Sequence, residues 1–207
     1  MGRWWHQGMS SDLPFGLLAN LHISGLDGIG RIWDLRTGRT AMVLEGHLKP
    51  IFATTFAPNS FVPFTNLLNS PADSLRRHQI ATGSGDDTVR IWDMRTLKAL
   101  HVIPAHKSNV ADIRYFRGPY PSPASDNVEA RYQSGLYFAT AGYDGLVRVW
   151  SADDWQLVKS VATDAGKVMS VDVSSDGKFI AAASWNRSFQ LFAPEGADTE
   201  VTMTDVA

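Results

Sequence analysis

The sequence predicts an all-β fold, a partial β-propeller, because one pattern recurs four times along its 207 residues. In each unit a six-residue step leads from a turn Asp or Asn to an aromatic residue that closes a strand: Asp27 to Trp33, Asp86 to Trp92, Asp144 to Trp150, and Asn186 to Phe192. The four turn residues are separated by 59, 58 and 42 positions. Short apolar runs divided by turn residues fill each unit, which indicates small antiparallel sheets in tandem.

The first unit opens with a glycine-rich turn that leads into the strand GRIWD. Gly25, Gly28 and Gly30 do not follow the spacing of a dinucleotide-binding loop and do not begin a helix. We interpret these glycines as the turn that enters the strand.

The second unit predicts four strands, at 51–57, 79–84, 88–94 and 97–103. Within the third of these, Val89 and Ile91 point to one face while Arg90 and Trp92 point to the other, as strand alternation requires. The third unit repeats the plan with VADIRYF, YFATAG, LVRVWSA and LVKSVA. The last unit supplies KVMSVDVS, FIAAAS and SFQLF, with SSDG at 174–177 as a hairpin turn.

The domain plan places the partial propeller at 24–194 and two inserts within it. The inserts, 59–78 and 117–134, fall between the first and second strands of consecutive units. The second insert is rich in Pro, Ser and Ala, so we expect a surface loop there. Residues 1–23 form a divergent or disordered N-terminal segment in this interpretation, and 195–207 form a C-terminal tail. TEVTMT at 199–204 is a candidate additional strand of the last unit.

Composition and charge narrow the class of protein. Nineteen Lys and Arg against 21 Asp and Glu give a net charge of −2, which lacks the basic excess of a non-specific nucleic-acid binder. The absence of Cys excludes disulfides and thiolate metal sites. The apolar run at 13–23 contains Pro14 and Gly16 and is too short to span a membrane. We expect no membrane association, no metal and no cofactor.

Two sets of polar residues recur with the repeat and mimic a catalytic triad. A His, a hydroxyl and a carboxylate can form a nucleophilic site when the base reaches the hydroxyl. An enzyme needs one such site, whereas repetition indicates a hydrogen-bond chain that holds each unit together. We therefore predict two structural tetrads and no catalytic residues; the tetrads are His47, Thr82, Asp86 and Trp92, and His106, Thr140, Asp144 and Trp150.

The last unit departs from this set at every position. Asp164 stands where the His is expected, Ala182 replaces the hydroxyl, Asn186 replaces the Asp and Phe192 replaces the Trp. We expect this unit to be held mainly by apolar packing and to be less stable than its neighbours.

Longer stretches of the chain resemble a narrower group of proteins. The stretches are SGLDGIGRIWDLRTGRTAMVLEGHLKPIFATTFAPNSF, QIATGSGDDTVRIWDM, VIPAHKSNV and GKVMSVDVSSDGKFIAAASWNRSFQLF. They are similar to the WD-repeat protein of the U4/U6 small nuclear ribonucleoprotein, the pre-mRNA processing factor 4 family. The similarity covers about residues 24–194 and is interrupted at the inserts.

The resemblance implies a WD-repeat β-propeller, of which this chain supplies about three and a half blades of a seven-blade ring. It implies a nuclear, non-catalytic scaffold in pre-mRNA splicing, a component of the U4/U6 and U4/U6.U5 particles of the spliceosome. The partners would be splicing-factor proteins, with mainly indirect association with U4/U6 RNA and no small-molecule substrate.

Two alternatives stay open on the residues alone. Trp33-Asp34-Leu35-Arg36 and Trp92-Asp93-Met94-Arg95 resemble the WDxR box of substrate receptors of cullin-type ubiquitin ligases. A generic WD-repeat adaptor is the other alternative. For any of these roles, the residue before each turn Asp or Asn lies at the rim where propellers meet partners. The candidate partner-binding residues are Tyr143 and Trp185, with Lys49, Lys107 and Arg187 from adjacent turns.

Overall fold

The computed structural model describes residues 19–23, 27–34, 38–57, 79–94, 96, 98–118, 135–164 and 166–193. These residues form fourteen β-strands: β1 Ala19–Ile23, β2 Gly30–Asp34, β3 Arg39–Leu44, β4 Ile51–Phe56, β5 Gln79–Ser84, β6 Val89–Asp93, β7 Lys98–Ile103, β8 Val110–Arg117, β9 Leu136–Gly142, β10 Leu146–Ser151, β11 Leu157–Ala162, β12 Val168–Val173, β13 Ile180–Ser184 and β14 Phe189–Phe192. None of the described residues forms a helix long and apolar enough to cross a membrane.

The strands associate in chain order into four antiparallel sheets. Sheet 1 contains β1 to β3, sheet 2 contains β4 to β7, sheet 3 contains β8 to β11, and sheet 4 contains β12 to β14. Fourteen strands amount to three and a half four-stranded sheets. The predicted all-β fold with a partial propeller is confirmed.

The aromatic that closes each unit fixes which strands are equivalent. Trp33, Trp92, Trp150 and Phe192 lie at or near the end of β2, β6, β10 and β14, so these four strands occupy the same position in their sheets. Sheet 1, as described, therefore consists of the second, third and fourth strands of a unit. Sheet 4 consists of the first, second and third.

The sheets pack face to face through three apolar clusters. The residues between sheets 1 and 2 are Ile32, Met42, Leu44, Ile80 and Trp92. A larger cluster lies between sheets 2 and 3, and includes Ala81, Val89, Ile91, Val110, Ile113, Phe138 and Trp150. The cluster between sheets 3 and 4 includes Ala139, Val147, Val149, Val168, Val171, Ile180 and Ala182. Apolar clusters thus cover both faces of the inner strands of sheets 2 and 3, which explains why β5 and β9 are buried along their whole length, whereas the outer strands β7 and β11 are mostly exposed.

The first strand of sheet 3, β8, lies between the first strands of sheets 2 and 4 and contacts both. Each of these first strands carries a register shift near its start, between Ile51 and Ala53 in β4, and at the equivalent places in β8 and β12. Such bulges bend a strand locally. Asp112 links two of these strands, because Ser170 Oγ donates to Asp112 Oδ2 over 2.6 Å and the Val171 amide donates to the same oxygen over 3.2 Å.

One feature differs from the sequence-based plan. Most predicted strands agree to within one or two residues, but β1 lies inside the segment 1–23 that the plan set apart from the propeller. The strand was missed because its apolar and polar residues alternate over only five positions, 19–23. The residues before it show no alternation. Three parts of the plan lie outside the described residues: the first insert (59–78), residues 119–134 of the second insert (117–134), and the tail (195–207).

Candidate functional site

The first polar set comes together at one end of sheet 2. His47 lies in the loop between β3 and β4, Thr82 on β5, Asp86 in the turn from β5 to β6, and Trp92 on β6. His47 Nδ1 is 2.9 Å from Asp86 Oδ2, and His47 Nε2 is 2.8 Å from Thr82 Oγ1. Trp92 Nε1 donates to the same Thr82 oxygen over 2.8 Å. The chain of contacts joins a loop, two strands and a turn.

Proton counting fixes the direction of each hydrogen bond in this set. An ionised carboxylate only accepts, so His47 must carry its proton on Nδ1 and donate to Asp86. The neutral ring then accepts at Nε2, and the Thr82 hydroxyl is the donor. The Thr82 oxygen in turn accepts from the Trp92 indole. Each of these contacts then has one donor and one acceptor.

The second polar set repeats this geometry in sheet 3. His106 Nδ1 is 2.8 Å from Asp144 Oδ1, His106 Nε2 is 2.8 Å from Thr140 Oγ1, and Trp150 Nε1 donates to Thr140 Oγ1 over 3.0 Å. Arg148 adds a contact, since its Nη1 donates to Asp144 Oδ2 over 3.0 Å and to the Ala105 carbonyl over 2.7 Å. The two units therefore hold sets of equivalent geometry.

Burial sets the protonation of both histidines. It lowers the pKa of His47 and of His106, because a charged ring would lose its water; the neighbouring carboxylates oppose this effect but do not reverse it. Arg148 Nη1 lies 2.8 Å from His106 Nδ1, and its positive charge further disfavours an imidazolium. Both rings are neutral at physiological pH.

The pKa values of the two carboxylates are lowered, so both groups stay ionised. Burial acts to raise the pKa of Asp86, but hydrogen bonds from the Thr88 hydroxyl, the Leu48 amide and His47 outweigh it and lower that pKa to about 2. The pKa of Asp144 is also lowered, because donors from the Lys107 amide, His106 and Arg148 outweigh its burial. Each carboxylate is thus a fixed anion that receives donors from several segments.

The arrangement is unsuited to attack on a substrate. Thr82 and Thr140 are fully buried, and each hydroxyl oxygen already accepts an indole N–H and lies against a histidine. A nucleophile needs an open approach for the reacting carbon. Among the described residues, no group of His, Asp and Glu side chains could hold a metal ion.

Sheet 4 holds a weaker arrangement at the same place. Asn186 Oδ1 accepts from the Ser188 hydroxyl over 2.6 Å, which copies the contact of Thr88 with Asp86. Gln190 Nε2 donates to Asp164 Oδ2 over 3.2 Å, and this contact is exposed. The buried hydroxyl and the indole of the other two sets have no counterpart at Ala182 and Phe192.

The candidate partner-binding residues lie beside these turns. Lys49, Lys107 and Arg187 are exposed, Trp185 is 70% exposed, and Tyr143 is half-buried. One backbone bond recurs at the turns: the amides of Gly85, Tyr143 and Trp185 donate to the carbonyls of Pro50, Asn109 and Lys167. Residues before the turn Asp or Asn are therefore held against the start of the first strand in sheets 2, 3 and 4.

Lys167 connects the two aromatic candidates. Its carbonyl accepts from the Trp185 amide over 2.9 Å, and its Nζ lies 5.5 Å from the centroid of the Tyr143 ring. Tyr143 and Trp185 thus belong to adjacent sheets but share a neighbour.

Sequence reasoning missed two exposed apolar residues beside the same turns. Leu48 is 87% exposed directly after His47, and Phe52 is 48% exposed at the register shift of β4. Phe52 lies next to Gly85, the residue before the turn Asp of sheet 2. The sequence could have indicated Leu48, because it directly follows His47 just as Lys107, a candidate partner-binding residue, directly follows His106.

Residues 38–93, 97–151 and 155–192 match the family "WD40: WD domain, G-beta repeat". The three matched segments cover well over half of the chain. Each begins in the last strand of one sheet or just before it and ends in the third strand of the next, so a sequence repeat and a sheet are offset by one strand.

Several curated proteins are similar to the chain. Pre-mRNA-processing factor 19 of Oryza sativa is 27% identical over 196 residues, which is 88% of this chain and 31% of that protein. The U4/U6 small nuclear ribonucleoprotein PRP4-like protein of Arabidopsis thaliana is 43% identical over 68 residues, 33% of this chain and 12% of that protein. The DENN domain and WD repeat-containing protein SCD1 of Arabidopsis thaliana is 26% identical over 190 residues, 90% of this chain and 13% of that protein.

These matches are partial in two respects. The chain spans about a third or less of the length of each of these relatives. The match to the U4/U6 PRP4-like protein extends over fewer residues than the resemblance at 24–194 implied, whereas pre-mRNA-processing factor 19 matches most of the chain.

Proposed function

The chain belongs to the WD40 repeat family, and from that premise we propose that it is a non-catalytic protein-interaction scaffold in pre-mRNA splicing. The observation that carries the proposal is a division of polar groups. The His, Thr and Asp side chains of sheets 2 and 3 are closed off in hydrogen-bond sets, while aromatic and cationic side chains beside the turns face solvent. Within the described residues, the side chains that face solvent beside the turns suit the binding of a partner, and the polar sets are closed to a substrate.

The splicing role rests on two of the relatives. One is named for pre-mRNA processing and the other for the U4/U6 small nuclear ribonucleoprotein. We propose the finer assignment that the chain is a component of the U4/U6 and U4/U6.U5 particles in the nucleus. With a net charge of −2, contact with U4/U6 RNA would be mainly indirect, through splicing-factor proteins.

The proposed binding surface, called here the turn surface, consists of Lys49, Lys107, Tyr143, Trp185 and Arg187. Large aromatic side chains supply most of the binding energy at protein interfaces, and Trp185 offers one that is 70% exposed. Lys107 and Arg187 are exposed cations at the turns of sheets 3 and 4. The matching partner segment carries acidic residues together with an apolar side chain. Leu48 and Phe52 extend the apolar part of this surface toward sheet 2.

A pull-down with the tagged chain tests this proposal. Nuclear extract is incubated with the wild type and with the double variant Tyr143→Ala, Trp185→Ala, and the bound fraction is probed for U4 and U6 RNA. We expect both RNAs with the wild type and a loss of at least about tenfold with the variant, since two aromatic anchors each contribute more than 1 kcal/mol. The matched control, Leu157→Ala with Val158→Ala, removes two exposed apolar side chains from β11, far along the sheet from the turns.

Further measurements separate the finer claims. Ribonuclease treatment before elution should leave the protein partners bound, because the RNA association is proposed to be indirect. Probing for a cullin adaptor covers the ubiquitin-ligase alternative. Recovery of that adaptor without U4 or U6 RNA would contradict the splicing assignment, and a cytoplasmic signal from the fluorescently tagged chain would contradict the nuclear one.

A further inference from the structure

Sheets 2, 3 and 4 differ in a complementary way at two positions beside the turns. The first position is the residue before the turn Asp or Asn: Gly85, Tyr143 and Trp185. The second is the bulged residue near the start of the first strand, which the register shift leaves without a partner: Phe52, Ala111 and Met169. Sheets 3 and 4 therefore carry an aromatic side chain before the turn, whereas sheet 2 carries one on the bulge.

The ring of Phe52 lies where a side chain at position 85 would begin. A Cβ atom added at Gly85 would be 3.1 Å from Phe52 Cε2, and Gly85 is buried. The backbone is equivalent in the three sheets, because the amides of Gly85, Tyr143 and Trp185 each donate to the residue just before the first strand. Each sheet thus presents one aromatic side chain at an equivalent place, from the bulge in sheet 2 and from the turn in sheets 3 and 4.

The residue just before a first strand links neighbouring aromatics. The Asn109 carbonyl accepts from the Tyr143 amide over 3.0 Å, and Asn109 Oδ1 is 3.6 Å from the place of a Cβ atom at Gly85. The Lys167 carbonyl accepts from the Trp185 amide over 2.9 Å, and Lys167 Nζ is 5.5 Å from the centroid of the Tyr143 ring. The three aromatics therefore form a row across sheets 2, 3 and 4, called here the aromatic row: Phe52, 48% exposed, Tyr143, half-buried, and Trp185, 70% exposed.

The aromatic row has a local excess of positive charge. Among the described residues of the turns and of the loops before the first strands, four exposed side chains are cationic: Lys49, Lys107, Lys167 and Arg187. The exposed acids there are Glu45 and Asp164, and Asp87 is half-buried. The turn carboxylates of Asp86 and Asp144 are 7% and 9% exposed and already accept hydrogen bonds from the chain. The whole chain, by contrast, has a net charge of −2.

From this arrangement we propose that the aromatic row binds an extended acidic segment of a protein partner through three apolar side chains, one for each of sheets 2, 3 and 4. The inference rests on the proposed function, because the row overlaps the turn surface, and it adds Phe52 as the anchor of sheet 2. Exposed aromatic side chains are the usual anchors of interfaces. The acidic side chains of the segment face the cations beside the anchors, and this contact selects it over a neutral segment.

Single-stranded RNA suits the row less well. Bases stack on aromatic rings, but such sites also need cations that follow the phosphates. RNA brings one phosphate for every nucleotide, whereas these loops and turns carry four exposed cations against two exposed acids, an excess of only two. Lys167 Nζ also lies near the Tyr143 ring, which leaves less of that ring for a base. An acidic segment with a few carboxylates fits the modest excess.

Fluorescence anisotropy with labelled probes tests the proposal. The probes are peptides in which Glu and Asp alternate with Leu, Phe and Trp, matched peptides with Lys in place of the acidic residues, and polyuridine RNA. We expect the wild-type chain to bind members of the acidic set, more weakly as salt is raised, and to bind neither of the other probes. Absence of binding to the acidic set, or preferential binding of polyuridine, overturns the proposal.

Substitutions at the anchor of sheet 2 test the role of Phe52. Phe52→Ala should bind the acidic peptides about tenfold more weakly, because it removes one anchor. Adding Gly85→Trp to Phe52→Ala recreates the arrangement of sheet 4 and should restore the affinity. Removal of the Phe52 ring leaves room for the new side chain, since the next atoms around a Cβ atom at position 85 are 3.5 and 3.6 Å away.

Controls keep this test independent of the fold. Circular dichroism checks that each variant keeps the β-sheet spectrum of the wild type. Val102→Ala, which removes a 42% exposed side chain from β7, and Phe52→Tyr, which keeps the ring, should both bind as the wild type does. A folded Phe52→Ala variant with wild-type affinity overturns the proposal. A folded double variant that binds no better than Phe52→Ala, or a Phe52→Tyr variant as weak as Phe52→Ala, does the same.

The peptides contain no splicing component, so this test and the pull-down can fail separately. Binding of acidic peptides together with failure to recover U4 and U6 RNA from nuclear extract would contradict the proposed function and support the acidic segment as ligand. Recovery of both RNAs without binding of any acidic peptide would do the reverse.

Discussion

The hydroxyl group of Thr82 forms hydrogen bonds with two side chains. It donates to His47 and accepts from the Trp92 indole, and it is completely buried. Thr82→Val keeps the shape of the side chain but leaves both partners without this contact. We expect a loss of about 1 to 3 kcal/mol in the free energy of unfolding, as is usual for buried polar groups left unpaired. Urea denaturation measures it.

The control for this substitution is Thr40→Val on β3, where the side chain is exposed. Exposed substitutions of this kind usually change the free energy of unfolding by less than about 0.5 kcal/mol. Equal losses for Thr82→Val and Thr40→Val would show that the polar set does not stabilise sheet 2.

The two buried histidines make the fold sensitive to mild acid. Their pKa values are lowered in the folded chain, so below the ordinary value of about 6.5 the unfolded chain binds protons that the folded chain refuses. Stability is therefore full above that value and falls as the pH drops from about 7 toward about 5. Urea denaturation at several pH values checks this expectation.

The carboxylates extend the loss into stronger acid. Because the pKa of Asp86 is lowered to about 2, its contribution is present above the ordinary value and disappears as the pH falls through the range from 3.8 to about 2. Replacing both histidines with Asn should flatten the loss between about pH 7 and 5 while leaving this second decline in place. A double variant with an unchanged profile in mild acid would contradict the assignment to His47 and His106.

At the scale of the element, sheet 4 should be the least protected of the three sheets that begin with a first strand. Ala182 and Phe192 replace the buried hydroxyl and the indole that link strands in sheets 2 and 3. Amide hydrogens of β13 should exchange faster than those of β5 and β9. Hydrogen exchange followed by mass spectrometry measures the difference.

A graft provides the control. Asp164→His, Ala182→Thr, Asn186→Asp and Phe192→Trp together would install the full set in sheet 4. We expect slower exchange of β13 in this variant than in the wild type. Faster or unchanged exchange would mean that open faces, and not the missing polar set, govern the stability of sheet 4.

Much of the strand pattern was accessible from the sequence, for a definable reason. β5 and β11 match their predicted bounds, because each is a short run of mostly small or aliphatic residues that ends at or just before a turn. β1 was missed because five alternating residues are a weak signal beside a glycine-rich turn. The sequence also nominates the polar sets, since a Thr lies four residues before the turn Asp of sheets 2 and 3 and a Trp six residues after it, with a His 39 or 38 residues before it.

The turn surface was only partly accessible from the sequence. Phe52 belongs to an apolar run and resembles a core residue, yet it lies at a register shift and is half exposed. The amino-acid sequence does not show where the pairing between two strands shifts register by one residue. The link of Lys167 to Tyr143 depends on how two sheets approach each other, which the spacing of a single repeat does not determine.

At the scale of the whole molecule, three apolar clusters join the four described sheets in series, so we expect the sheets to unfold in one cooperative transition. Calorimetry checks this expectation. Two separate unfolding transitions would contradict it.

The offset between sequence repeat and sheet has a consequence for how such a molecule can change length. Every matched segment places its opening strand in one layer and the remaining three in the layer that follows. If one such segment is inserted or lost, the strands on either side of the change can still pair into a complete four-stranded sheet. A tandem array of this kind can therefore change its length by whole units without leaving an unpaired strand within the array.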